Sequence, residues 1–109
     1  MGTVWKTQWI AIATGGGAFG VGKDQPSKKK AESLAIEDCK RKGGSGCKVY
    51  YQTYNQCMAL AGGAQTLSVY RAETVEKSEV LVLDKCNSNP SNGRCELYYS
   101  GCSYPLKKN

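Results

Sequence analysis

Six cysteines are the residues of this 109-residue chain with the clearest chemical potential. They form two groups of three: Cys39, Cys47 and Cys57, followed by Cys86, Cys95 and Cys102. An even cysteine count in a short chain favours a disulfide framework made in an oxidising compartment. The chain has no CxxC motif and no histidine, which disfavours a zinc site and a redox-active pair.

The second cysteine group reads as a copy of the first. Adding 47 to the number of Cys39 gives Cys86, and adding 48 to that of Cys47 gives Cys95. Six cysteines allow fifteen pairings, and sequence alone does not choose among them. Related repeats should make related bonds, which favours Cys39–Cys47 and Cys86–Cys95. The remaining pair, Cys57–Cys102, would then join the two repeats.

A glycine-rich stretch has the spacing of two nucleotide-binding motifs. Gly15-x-Gly17-x-x-Gly20 resembles a dinucleotide fingerprint, but six residues separate it from the predicted helix cap at Ser27. The stretch from Gly17 to Lys23 has P-loop spacing, but Asp24 stands where Ser or Thr would bind magnesium. We therefore expect a flexible, hairpin-like loop, with no nucleotide and no other cofactor.

The chain offers little to an enzyme mechanism. Without histidine there is no Ser-His or Cys-His pair for nucleophilic catalysis. Four candidate carboxylates lie beside basic residues or on exposed helix faces: Glu32, Glu37, Asp38 and Glu96. We predict a protein that is not an enzyme, and a small hydrolase with an unrecognised carboxylate pair stays as the third alternative.

Hydrophobic periodicity and turn residues predict an α+β fold with an antiparallel sheet and two helices. We expect one domain over residues 1–109, built from two tandem strand-helix-strand repeats (about 4–61 and 65–104) and stapled by the three disulfides. The predicted strands cover 4–14, 47–54, 57–61, 65–71 and 94–100, and the loops cover 15–26 and 87–93. The predicted helices cover 28–42, capped by Ser27, and 74–86, capped by Thr74.

The formal charge of +6 favours an acidic partner. Three consecutive lysines occupy the first turn of the first helix, where they oppose the helix dipole. A local rule broken three times suggests a use for that charge, and the alternative is an exposed, solvated turn. As the functional interpretation we predict a partner-binding surface formed by Lys28, Lys29, Lys30 and Arg41 with Phe19 and Lys23. Seven tyrosines beside basic residues would suit single-stranded nucleic acid, but they follow the strand repeat, and we expect sheet packing and no nucleic acid.

The chain resembles a bacterial family, domain of unknown function 4189. The resemblance is carried by Trp9-x-Ala-Ile-Ala, by Ser27-x-x-x-Ala31-x-x-x-Ala35-x-x-x-Cys39, and by Asn55-x-Cys57-x-Ala59-x-Ala61. It continues through the later cysteines, and departs at Val82 and Leu83, where the family tends to have alanine. The resemblance implies a secreted or lipid-anchored envelope protein, and brings no activity and no catalytic residues.

These observations predict a non-enzymatic binding protein of the bacterial envelope, in the form of an inhibitor or immunity protein that neutralises a periplasm-acting toxin or hydrolase. Its partner would be a protein with an acidic surface. The alternative is a secreted effector that acts on a host target or an anionic surface. We expect a periplasmic or secreted location, with a signal or lipoprotein leader before Met1 in the precursor. No apolar stretch reaches the length of a membrane span, a lipid anchor is compatible with the sequence, and a homodimer stays open.

Overall fold

The computed structural model describes residues 4–108, and the chain divides into two compact units. Unit 1 runs to Asn55 and takes in the chain from Ser103 onward, while unit 2 is Gln56–Cys102. The elements in chain order are β1 (Val4–Lys6), β2 (Trp9–Gly15), β3 (Ala18–Gln25), α1 (Lys28–Arg41), β4 (Lys48–Tyr54), β5 (Gln56–Gly62), β6 (Leu67–Ala72), α2 (Val75–Asn87), β7 (Glu96–Ser103) and β8 (Leu106–Lys108).

The predicted α+β class, antiparallel pairing and two helices are confirmed. Within residues 4–108, the strands form two three-stranded sheets, with the orders β3-β2-β4 and β6-β5-β7. A separate two-stranded ribbon pairs β1 with β8. The strands are thus distributed over several sheets rather than joined in one.

The segment 15–26 is not the predicted loop, because most of it is the strand β3. Gly16 and Gly17 both have positive φ and form the two-residue turn of a β2–β3 hairpin, a conformation that glycine adopts readily. The glycines inside β3 have another cause: a Cβ atom on Gly20 would overlap the backbone of Cys39 and Ala35 in α1. Glycine in this segment therefore marks a close helix–strand approach, and sequence reading mistook it for flexibility.

The second strand of each hairpin, β3 in unit 1 and β6 in unit 2, follows the first strand directly, so each unit has the order strand, strand, helix, strand. Unit 1 follows the order β2, β3, α1, β4, and unit 2 follows the order β5, β6, α2, β7. In both sheets the first strand lies in the centre, between its hairpin partner and the strand after the helix. The strand predicted over 57–61 is β5, which opens unit 2, whereas the sequence interpretation placed it at the end of the first repeat.

Each unit buries small residues between its helix and its central strand. In unit 1 this core consists of Ala11, Ala13, Ala31, Ala35 and Cys39. In unit 2 it consists of Ala59, Ala61, Val82, Cys86 and Cys95. Alternate residues of the central strands are also fully buried, namely Ile10, Ile12, Met58 and Leu60. Burial on both faces explains why the residues of these two central strands are apolar without alternation.

The three predicted disulfides are confirmed, and all six cysteines are paired. Cys39–Cys47 ties α1 to the start of β4, and Cys86–Cys95 ties α2 to the start of β7. Cys57–Cys102 joins β5 to β7. Both of its cysteines lie in unit 2, so this bond is internal to that unit.

A buried asparagine organises the connection after α2. Asn92 is 2% exposed, and its Oδ1 accepts hydrogen bonds from the backbone N–H groups of Gln65 (3.1 Å) and Thr66 (2.9 Å). Its Nδ2 donates to the carbonyl of Cys86 at 3.0 Å. One side chain therefore satisfies backbone groups from the β5–β6 turn and from the end of α2.

Candidate partner-binding surface

The first turn of α1 presents three exposed lysines from a well-formed helix start. Ser27 adopts an extended backbone, and its Oγ accepts the N–H of Lys30 at 3.2 Å, which confirms the predicted cap. Lys28, Lys29 and Lys30 are all exposed, and the first turn contains no acidic residue. The lysines add positive charge to the positive end of the helix dipole, so α1 gains no stability from them.

A groove of about 530 Å³ runs beside these lysines. Its lining residues come from α1 and from the end of β3: Gln25, Ser27, Lys29, Lys30, Ser33, Leu34 and Glu37. Leu34 supplies apolar surface and the lysines supply ammonium groups. The arrangement suits an acidic side chain that carries aliphatic surface.

The other end of α1 is held to β3 through Asp38. The Asp38 carboxylate accepts the backbone N–H of Val21 at 2.9 Å and pairs with Lys42 Nζ at 3.0 Å and an Arg41 guanidinium nitrogen at 3.5 Å. The Val21 hydrogen bond, and then the two cations, lower the pKa of Asp38 below its ordinary value of 3.8, against the opposing effect of burial. Lys42 Nζ also lies 5.1 Å from the centroid of the Phe19 ring. This cluster fastens the C-terminal end of the helix.

The six residues of the predicted partner surface therefore fall into separate groups. Lys28, Lys29 and Lys30 stand together at the helix start, and the last two line the groove. Arg41 lies 11 residues further along α1, about 16 Å away, with Phe19 beside the same helix end. Lys23 is half-exposed and pairs with its neighbour Asp24 at 3.8 Å. Arg41 and Phe19 contact the Asp38 cluster at the other end of α1, so the lysine triplet is the part of the predicted surface that lies together at the groove.

Sequence reasoning missed four lining residues of the groove: Gln25, Ser33, Leu34 and Glu37. A signal for three of them was present, because positions three, four and seven residues after Lys30 share its side of a helix. Gln25 had no such signal, since it lies in the segment interpreted as a loop.

The net charge of the protein resides in unit 1. Its sequence contains eleven basic and four acidic side chains, a formal charge of +7. Unit 2 contains four basic and five acidic side chains, a formal charge of −1. An acidic partner would therefore be attracted to unit 1, where the groove lies.

Residues 9–102 match the family model described as Domain of unknown function (DUF4189). The matched range begins with β2, ends at the last cysteine, and so spans both sheets and both helices. The chain belongs to this family. Searches of curated proteins and of solved structures found no match. The description of this family names no function. Membership therefore indicates which segment of the chain carries the shared fold, and a function can be argued only from the chemistry of the surface.

The three disulfides are consistent with an extracytoplasmic protein. Neither of the helices found in residues 4–108 has the length and apolar character needed to cross a membrane.

Proposed function

We propose that this DUF4189 protein is a non-enzymatic binding protein of the bacterial envelope that presents the lysine groove of α1 to an acidic protein. The proposal is carried by one observation: the three lysines are exposed at a helix start that they do not stabilise, in the unit that holds all of the net charge.

The construction of the groove supports a binding role. Ser27 fixes the start of α1, and both the Asp38 cluster and Cys39–Cys47 fix its end. A helix held at both ends loses little conformational entropy when a partner docks, which favours affinity. Lysines on such a frame attract an acidic surface at long range and accelerate encounter.

The specific form that we propose is an inhibitor or immunity protein whose partner is a toxin or hydrolase of the same compartment. A rigid basic surface is suited to cover an acidic substrate-binding cleft or an acidic rim. On this model the lysines set the association rate, and Leu34 contributes apolar contact in the groove.

The test is affinity capture from an envelope extract with the oxidised protein as bait, followed by identification of the captured protein and an assay of its activity. The expected result is one acidic protein whose activity falls on binding and whose capture weakens with salt. The variant Lys29→Glu/Lys30→Glu should no longer capture this acidic protein.

The matched control is Arg71→Glu/Arg94→Glu, which makes the same change of charge on exposed residues of unit 2. Retained capture by this control, with loss by the α1 variant, supports the proposal. Equal capture by both variants overturns the assignment of the surface, and capture without any change in the partner's activity overturns the inhibitor form.

A further inference from the structure

The outer face of α2 is apolar in the middle and charged on both sides. Val80 is 60% exposed and Leu81 is 45% exposed. Together with Glu76 and Lys77 they line an apolar groove of about 420 Å³. The residues that α2 buries in its own unit lie on the opposite side, at Ser78, Val82 and Cys86. Val80 and Leu81 therefore take no part in the core of unit 2.

The order of charges around this apolar pair is self-complementary. Glu76 and Lys77 precede Val80-Leu81, and Asp84 and Lys85 follow at matching distances. If a second α2 runs antiparallel, with a two-fold axis between positions 80 and 81, Lys77 meets the partner's Asp84. Val80 then meets the partner's Val80 and Leu81 meets the partner's Leu81, while Glu76 and Lys85 lie on opposite sides of the contact and do not pair.

Helical geometry places these groups on one side of α2. Residues 77, 80, 81 and 84 fall within about 100° of the helix circumference, while 76 and 85 flank this arc on opposite sides. All six of these residues are exposed. In a two-fold contact the Lys77–Asp84 pair occurs twice, so a short stretch of one helix supplies two ion pairs around an apolar centre.

We propose that the protein self-associates through an antiparallel α2–α2 contact between two copies. The occupant is a second copy because the charge order matches its own reversal, which an unrelated partner would not require. The stretch from Glu76 to Lys85 is about 14 Å long, so the buried area is small and the dimer is weak and concentration-dependent. The contact uses unit 2 and is independent of the lysine groove in unit 1.

The test is analytical ultracentrifugation of the disulfide-intact protein over roughly a hundredfold range of concentration, with Kd as the readout. Wild-type protein should pass from monomer to dimer within this range. Lys77→Glu alone and Asp84→Lys alone each create two like-charge pairs per dimer. Each should raise Kd by about tenfold or more.

The double variant Lys77→Glu/Asp84→Lys exchanges the two charges, recreates the unlike pairs and should restore a Kd near that of the wild type. Neither substitution threatens the helix, because each matches the dipole at its end of α2. The matched controls are Arg94→Glu and Glu96→Lys, which make the same charge changes at exposed positions off α2. Neither should alter Kd.

A wild-type protein that stays monomeric throughout the range overturns the proposal and leaves this face to a different partner. A dimer that is indifferent to both single variants, or one that the double variant fails to restore, places the contact elsewhere and overturns it as well.

Discussion

At one corresponding place in the two units, an aromatic pair and a disulfide perform the same task. Trp9 of β2 is paired with Tyr54 of β4, and their ring centroids lie 4.8 Å apart. Adding 48 to these numbers gives Cys57 of β5 and Cys102 of β7, which are bonded to each other. The repeated fold therefore needs a firm contact between its central strand and its last strand. The chemistry of that contact is free to vary.

The helix–strand packing differs in the same way. Gly20 and Gly22 of β3 lie opposite Ala13 and Ala11, whereas Ser68 and Tyr70 of β6 lie opposite Ala61 and Ala59. In unit 1 the backbone of β3 therefore lies against the backbone of α1. In unit 2 the side chains of β6 fill the corresponding space. The comparison shows that one strand order accommodates two packing solutions.

The largest effect is expected from the disulfide that has an aromatic counterpart. Cys57→Ala/Cys102→Ala opens a loop with a sequence separation of 45 and should lower the free energy of unfolding by about 4 kcal/mol. Trp9→Ala/Tyr54→Ala should cost about 2 kcal/mol, because Trp9 is only partly buried and Tyr54 is 50% exposed. Denaturant unfolding of the oxidised variants measures both costs. Equal costs would contradict the view that the two contacts differ in strength.

A second contrast separates the two packing solutions. Gly20→Ala forces a methyl group into the α1 backbone and should cost about 3 kcal/mol. Ser68→Ala, at the matching position of β6, should change the stability by less than about 1 kcal/mol. Thermal unfolding of both variants provides the comparison. A harmless Gly20→Ala would show that α1 does not approach β3 as closely as the structure indicates.

The Asn92 side chain provides a third test, since it belongs to unit 2 alone. Asn92→Ala leaves the N–H groups of Gln65 and Thr66 and the carbonyl of Cys86 without their buried amide partner and should cost about 2 kcal/mol. The control is Asn89→Ala, which removes a single, exposed bond to the Ser91 N–H and should cost about 0.5 kcal/mol. Chemical denaturation with the disulfides intact distinguishes them, and a reversed order would refute the role given to Asn92.

The smallest expected effect is the pH dependence of stability that Asp38 causes. It is confined to unit 1, because the matching position of unit 2 holds Lys85, which has no carboxylate. The pKa of Asp38 is lowered in the folded state, so its stabilisation is fully present above the ordinary value of 3.8. It is lost as the pH falls through 3.8 toward the folded-state value. Asp38→Asn should remove about 1 kcal/mol at neutral pH and flatten the stability–pH curve on the acid side. An unchanged acid limb would assign the acid sensitivity to other groups.

Much of the fold could be predicted because its strongest signals are local. The first two cysteines of each group repeat at an offset of 47 to 48, which identified Cys39–Cys47 and Cys86–Cys95 and left Cys57–Cys102 as the third bond. The helix caps at Ser27 and Thr74 follow from hydroxyl groups placed before a periodic stripe. The caps depend on adjacent residues and the bonds on a repeated spacing, and both can be recognised in a single sequence.

The sequence predictions missed contacts between residues that are distant in the sequence. Gly20 is glycine because α1 passes over it, and no residue near it in sequence reveals that contact. The contact of Phe19 with Lys42 could not be predicted, because it requires the β2–β3 hairpin that the sequence interpretation lacked. The exposure of the lysine triplet could be predicted, because it depends only on the helix that carries it.

The Cys57–Cys102 bond also has a mechanical consequence. Unit 2 begins at Gln56 and ends at Cys102, so the bond closes nearly the whole unit into a covalent ring. A force applied to the two chain ends would pass across the sulfur bridge and bypass the residues between them. About 150 Å of contour length would thus be protected from stretching until the bridge is reduced. Tension could unravel unit 1 while unit 2 stays folded.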